Sequence, residues 1–254
     1  MIKMHRVRFP GGIGEEIAAQ LDVPGEKPPV AYALVAHCFT CSKNLKAIHN
    51  ISRALVESGW AALRIDFTGL GDSAGDFSRT NLSSNIGDLV AAARYLESEH
   101  RAPALLIGHS LGGSAVLGAA SRIKSCRAVA VIATPDDPRH LSHLLADARR
   151  TANDRGEIEV EIGGRRFRLS RQFFQDLEKQ NPFQTIRNLG RALLVVHAPD
   201  DDVVPIEHGL HIFETAAHPK AFVSVAGADH LLSGERDSRY VGGLIAFWSS
   251  RMLG

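Results

Sequence analysis

The sequence predicts an α/β fold: an eight-stranded, mostly parallel sheet flanked by helices, with an insertion after the sixth strand. Two patterns carry that expectation. Short β-branched or apolar runs recur, each followed by an amphipathic stretch, and this alternation is what a parallel sheet covered by helices requires. Late in the chain the alternation is interrupted by residues 136–190, about twice the length that one crossover helix needs.

Along the chain, Val7 to Val23, broken at Gly11-Gly12, predicts an opening hairpin of two strands. Six central strands follow at Ala31 to Ala36, Ala61 to Asp66, Ala104 to Gly108, Ala128 to Ala133, Ala192 to His197 and Ala221 to Ala226. Helical spacing runs through Leu45 to Ser58, Ser83 to Glu99, Leu111 to Arg122, Pro205 to Ala217 and Glu235 to Met252. Residues 1–135 and 191–254 thus form the core domain.

The insertion has its own pattern. Glu157 to Ile162, then Gly163-Gly164, then Arg165 to Leu169 reads as a hairpin with a two-residue primed turn. In that register Glu161 faces Arg166 and Glu159 faces Arg168 on a charged face, while Val160 meets Phe167 and Ile158 meets Leu169 on an apolar one. Arg171 to Gln180 predicts a short helix bearing Phe173, Phe174 and Leu177. An insertion with its own apolar face is expected to act as a cap. The arginines read as solvated partners of the glutamates rather than as an anion site.

Composition bounds the partners. A chain of 254 residues, 44% apolar, fits one large domain. A formal charge of +1 gives no field that would draw it to nucleic acid or an anionic membrane. Met1 to Pro10 lacks a signal peptide's apolar run, and no apolar stretch is long enough for a membrane span. Three cysteines cannot build a disulfide framework, which points to a reducing compartment and a cytoplasmic protein. Expected partners are small molecules; self-association into a homo-oligomer is left open.

Leu105-Leu-Ile-Gly108-His109-Ser110-Leu111-Gly112-Gly113 matches G-x-S-x-G between a buried strand and a helix, the context in which the motif means a nucleophile elbow. Gly108 and Gly112 leave room for the strained turn that lifts the serine hydroxyl clear of the backbone. The alternative, a serine N-cap among packing glycines, is the weaker reading. A serine hydroxyl needs a base, and the base a carboxylate, in the chain order Ser, acid, His. Asp200, Asp201 and Asp202 follow one strand, and His230 follows the last, all at carboxyl ends where open α/β sheets build sites. His230 is therefore the candidate base, and the three neighbouring aspartates leave the acid ambiguous. His208 and His211, three apart on a helix, read as surface residues, and His197 as structural. An acyl oxyanion needs two backbone donors; Leu111, after the nucleophile, and Phe39, in the loop His37-Cys38-Phe39-Thr40, are the candidates.

With these pieces assembled the sequence resembles the α/β-hydrolase superfamily along nearly its whole length. Ala36 to Lys43, Leu63 to Ser73 and the elbow look like the hydrolase unit found alone or fused to OsmC-type domains, and the layout is similar to cinnamoyl and feruloyl esterases. The resemblance implies an α/β-hydrolase fold and a serine esterase acting on short-chain or aromatic acyl esters. Aligning the superfamily's H-G-x-x-D-x-x-V-P pattern on His197, Val204 and Pro205 puts the acid at Asp201, with Ala198 where the pattern has Gly. The familiar H-G-F loop is here His37-Cys38-Phe39. The given sequence ends at Gly254, so no OsmC-type domain is expected to follow.

The expected site is then Ser110, Asp201 and His230 as catalytic residues and Phe39 and Leu111 as oxyanion donors. Substrate contacts are expected from Phe39, His109, Leu144, Phe173, Phe174 and Leu231, with no metal and no organic cofactor. Thioesterase, lactonase or peptidase chemistry would use the same parts. Haloalkane dehalogenation is disfavoured because it needs Asp at position 110, and dienelactone hydrolases typically carry Cys there. Cys38-Phe-Thr-Cys41 also fits a C-x-x-C redox pair, a weaker reading for a loop that already has an oxyanion role. Zinc is disfavoured because Cys126 is the only other cysteine. A non-catalytic binding module on the same fold is the remaining alternative.

Overall fold

A computed structural model describes residues 1–150, 156–162 and 164–253. The opening hairpin pairs β1 (Ile2–Pro10) with β2 (Glu16–Pro24) in antiparallel register, Ile2 opposite Pro24. It is longer than the apolar pattern alone suggests, because Ile2 to Arg6 pair through backbone groups while their side chains stay mostly exposed. The remaining strands of the sheet are β3 (Tyr32–Ala36), β4 (Ala61–Ile65), β5 (Leu105–His109), β6 (Ala128–Ile132), β9 (Ala192–His197) and β10 (Lys220–Ser224). They give one eight-stranded sheet in the order β1-β2-β4-β3-β5-β6-β9-β10, parallel from β4 onward. The predicted fold class is therefore the observed one.

Alternation along these strands divides the interior in two. Leu34, Leu63, Leu106, Val129 and Leu193 face one apolar cluster, while Val35, Ala62, Ile107, Ala130 and Leu194 face the other. Helices α2 (Leu82–Glu99), α3 (Leu111–Ala120) and α8 (Ile206–Thr215) cover the first cluster through Leu89, Val116 and Ile212. Helices α1 (Lys46–Glu57) and α9 (Glu235–Ser250) cover the second through Ile48, Ile51 and Ile245. Among the described residues no helix is long and apolar enough to cross a membrane.

The insertion contains α4 (His140–Leu144), α5 (Ala146–Arg150), the hairpin β7 (Ile158–Ile162) and β8 (Arg165–Leu169), then α6 (Arg171–Lys179) and α7 (Pro182–Arg187). The hairpin register is the expected one, Glu159 opposite Arg168 and Glu161 opposite Arg166. Its charged face pairs differently, however. Arg166 lies 3.4 Å from Glu159 and 4.0 Å from Glu161, and Arg168 extends to Asp76 of the core at 3.9 Å. Long side chains reach diagonal neighbours as easily as facing ones. Of the expected turn, Gly164 has a φ of +72°, and Gly163 lies outside the described residues. Ile158, Val160, Phe167 and Leu169 are buried in the first apolar cluster together with Phe173, Phe174 and Leu177.

Polar contacts dock α6 on the start of α2. Asp176 accepts hydrogen bonds from the Ser83 backbone N–H (2.9 Å) and hydroxyl (2.6 Å), Gln172 donates to the Thr80 carbonyl (2.9 Å), and Ser170 donates to the Ser78 carbonyl (2.8 Å). A carboxylate at a helix N-terminus satisfies orphan donors and complements the dipole.

Candidate active site

Because the strands are parallel, their carboxyl ends and the loops that follow them collect at one edge. Ala36 is registered with Gly108, His109 with Ile132, Ile132 with Val196, and His197 with Ser224. The loops carrying Phe39, Ser110, Asp201 and His230 therefore emerge side by side.

Ser110 occupies the turn between β5 and α3 with φ +53° and ψ −124°, a conformation that costs a non-glycine residue on the order of 1–3 kcal/mol. Tight packing holds it there. Its N–H donates to the Ile132 carbonyl (2.8 Å) and its carbonyl accepts from Gly113 N–H (2.8 Å). A Cβ on Gly108 would lie 2.3 Å from the Gly112 carbonyl oxygen, and one on Gly112 would lie 2.3 Å from that of His37. The second contact also shows how closely the start of α3 packs on the loop after β3.

The Ser110 hydroxyl lies 3.2 Å from Nε2 of His230, whose Nδ1–H donates to both oxygens of Asp201 at 2.8 and 3.0 Å. Asp201 is the one of the three aspartates that reaches the histidine; Asp200 and Asp202 are exposed. Asp201 Oδ1 also accepts the backbone N–H groups of Val203 and Val204 at 3.0 and 2.9 Å. Burial alone would raise its pKa, but the hydrogen bonds from His230 and Val204 outweigh that and hold the carboxyl below its ordinary range.

Two further buried histidines brace this arrangement. His109 Nε2–H donates to the His230 carbonyl (2.7 Å), and His197 Nε2–H donates to the Val204 carbonyl (2.7 Å). Each has a buried Nδ1 without a hydrogen-bond partner among the described residues, and burial lowers the pKa of both, that of His109 to about 4. His197 is thus structural, as its strand-end position suggests. The expectation that His109 touches substrate is corrected: it is 1% exposed and turned into the protein, beneath His230. Nothing in the sequence distinguishes the inward from the outward rotamer at that position.

The loop after β3 carries Phe39 between Cys38 and Thr40. His37, fully buried, donates from Nδ1 to the Cys38 carbonyl (2.8 Å) and accepts the Phe67 N–H on Nε2 (3.3 Å). Burial lowers its pKa, as this neutral tautomer requires. Cys38 and Cys41 are joined by a disulfide, and Cys126 is a buried free thiol. One bond across three residues is no framework, but it removes the cysteine argument for a reducing compartment.

Phe39 packs at ring-centroid distances of 5.7 Å from Phe77 and 5.6 Å from Phe173 of α6, Phe77 packs at 5.4 Å from Phe167 of β8, and Phe173 at 5.4 Å from Phe174. The expected contact residues Phe39, Phe173 and Phe174 are therefore brought together in one aromatic row that links the loop to the insertion. Phe77 and Phe167 belong to it and escaped the sequence reading; Phe167 was visible only as a face of the hairpin. Leu231 is half exposed beside His230, and Leu144 is exposed on α4. The surface reading holds for His211, which is exposed, and is revised for His208, which is half-buried. Both rings turn onto Asp136 at the root of the insertion, His211 Nδ1 at 3.1 Å. Among the described residues no group of three or more His, Cys, Asp or Glu side chains could hold a metal ion.

Residues 33–242 match the model of the Alpha/beta hydrolase family. The esterase domain of a Rhodothermus marinus protein is 47% identical, each chain covering 100% of the other, with a TM-score of 0.82. Est1E of Butyrivibrio proteoclasticus, solved with ferulic acid bound, is 20% identical with a TM-score of 0.79, covering 97% of this chain and 99% of its own. An uncharacterised protein of Salmonella typhi, YfhR, is 23% identical over 228 residues, 87% of this chain and 73% of its own.

Proposed function

We propose that this chain, which belongs to the Alpha/beta hydrolase family, is a serine esterase that cleaves short-chain or aromatic acyl esters through an acyl-enzyme on Ser110. The observation that carries the reading is the relay Ser110 Oγ, His230 Nε2, His230 Nδ1, Asp201 at 3.2 and 2.8 Å. A neutral imidazole held by a carboxylate can accept the serine proton as Oγ attacks the ester carbonyl. His230 then returns that proton to the leaving alcohol, and water attacks the acyl-enzyme by the reverse route. Asp201 keeps the Nδ1–H tautomer, so Nε2 faces the nucleophile as a base.

The backbone N–H groups of Leu111 and Phe39 serve as donors to the tetrahedral oxyanion. Support comes from the contact between the start of α3 and His37, which holds the two loops together. Residues 136–190 act as the cap. The row of Phe39, Phe77 and Phe173 favours a flat, aromatic acyl group, since rings gain stacking energy beyond area burial. The 47% identical esterase domain from Rhodothermus marinus supports ester over other acyl substrates.

The test is a panel of nitrophenyl, cinnamoyl and thioester substrates run on wild type and Ser110→Ala. Wild type should prefer the oxygen esters, and Ser110→Ala should lose about 10,000-fold or more in kcat. Equal rates for the two proteins would overturn the assignment.

A further inference from the structure

The loop that carries Phe39 contains the disulfide. Cys38 and Cys41, with Cα atoms 5.3 Å apart, close a four-residue turn whose two inner residues are Phe39 and Thr40. Besides the sulfur bridge, the turn is closed by a long hydrogen bond, Cys41 N–H to the Cys38 carbonyl at 3.2 Å, and that carbonyl also accepts His37 Nδ1–H at 2.8 Å. Thr40 sits in it at φ +60°, a region that an unconstrained threonine leaves readily. The Thr40 hydroxyl is bonded to the Phe39 carbonyl at 2.6 Å, so the two inner residues move together. The two sulfurs differ in access: Cys38 is buried, whereas Cys41 is half-buried at the surface of the loop. The third cysteine, Cys126, is remote in sequence and buried, with its pKa pushed up to about 12, first of all by desolvation.

We propose that the Cys38–Cys41 disulfide is a thiol–disulfide exchange site through which a dithiol reductant lowers the turnover of the enzyme. This rests on the reading of Phe39 as an oxyanion donor. A thiolate of the dithiol attacks Sγ of the accessible Cys41, the Cys38–Cys41 bond breaks, and Cys38 leaves as a thiolate and takes up a proton. The second thiol of the reductant then displaces Cys41, which is protonated in turn. Two electrons pass to the protein, and the reductant ends as an intramolecular disulfide. Without the bridge, the turn relaxes from the positive-φ geometry at Thr40 and the Phe39 N–H loses its fixed direction. An oxyanion donor stabilises charge only where it is preorganised to a fraction of an ångström, so the effect falls on kcat. The aromatic contacts of Phe39 remain, so KM changes little.

The experiment measures kcat and KM on 4-nitrophenyl acetate for the air-oxidised protein and for the same protein treated with dithiothreitol. Thiols are counted after denaturation. The oxidised protein should show one thiol and the reduced protein three. Reduction should lower kcat by roughly 10-fold, with KM within about 2-fold, and oxidised glutathione should restore it. Cys126→Ala should respond as wild type does. The double variant Cys38→Ala, Cys41→Ala should stay near the reduced value with or without dithiothreitol. Three thiols in the air-oxidised protein, or a kcat that reduction leaves unchanged or raises, overturns the proposal even if the double variant fails to fold. Fluorophosphonate labelling of Ser110 separates the two levels. Hydrolysis and labelling that are indifferent to reduction sink the exchange site alone, while absence of both in either redox state sinks it together with the esterase reading.

Discussion

The elbow around Ser110 and the insertion at 136–190 are attached to the same sheet by different means. At the elbow the backbone does the positioning: a non-glycine residue at φ +53°, two glycines whose missing Cβ atoms leave no slack, and strand ends locked in parallel register. The insertion is held by side chains, through Asp176 on the first turn of α2, an aromatic row onto Phe39, and His208 and His211 on Asp136. Backbone constraints are over-determined and resist change, as the proposed reaction centre needs. Side-chain constraints can be altered one at a time, which suits the substrate-selecting role proposed for the insertion.

If that contrast is right, substitutions at the edge of the sheet should strike kcat and those in the insertion should strike KM. Asp201→Asn should have the largest effect, about 1,000- to 10,000-fold in kcat, because an amide there no longer enforces the Nδ1–H tautomer of His230. A loss under 10-fold in steady-state hydrolysis would show that Asp201 merely packs. Next comes Gly112→Ala. Its Cβ must displace the His37 carbonyl from 2.3 Å, so kcat should fall roughly 100-fold, with stability lost by about 1–3 kcal/mol in urea unfolding.

His109→Gln probes the support beneath His230 through pH. The His109 pKa is about 4 in the folded protein, below its ordinary value near 6.5, so between those values the unfolded chain binds more protons. Its contribution to stability is therefore complete above pH 6.5 and is lost as pH falls toward 4. His37 and His197, also lowered, act in the same direction. Glutamine can keep the bond to the His230 carbonyl without titrating. The variant should lose about 2 kcal/mol less stability than wild type between pH 7 and pH 5. Parallel stability–pH curves for the two proteins would refute it. Asp176→Ala should be mildest: about 1 kcal/mol of stability for the lost cap, a few-fold rise in KM, and kcat within about 2-fold. An equal fall in kcat would erase the distinction between the two regions.

Much of this is legible in the sequence. The strands and helices follow from periodicity. Gly164 stands in a primed-turn pattern, and the hairpin register follows from that turn together with the two-residue repeat on either side of it. The elbow is local too, since G-x-S-x-G encodes the steric room for its own strain. Spacing alone left three aspartates equivalent, put His109 among substrate contacts and His208 on the open surface, and left the pairing of Cys38 with Cys41 open.

The division is one of range. Periodicity, turn chemistry and the glycines of the elbow act between residues a few positions apart, so the sequence by itself determined the fold class and the strained turn at Ser110. The choice of Asp201 depends on two loops 29 residues apart, and the burial of His109 on one 121 residues away. Asp176 meets Ser83 across 93 positions. Only the tertiary structure decides such pairs, because packing selects one rotamer among several that local sterics permit equally.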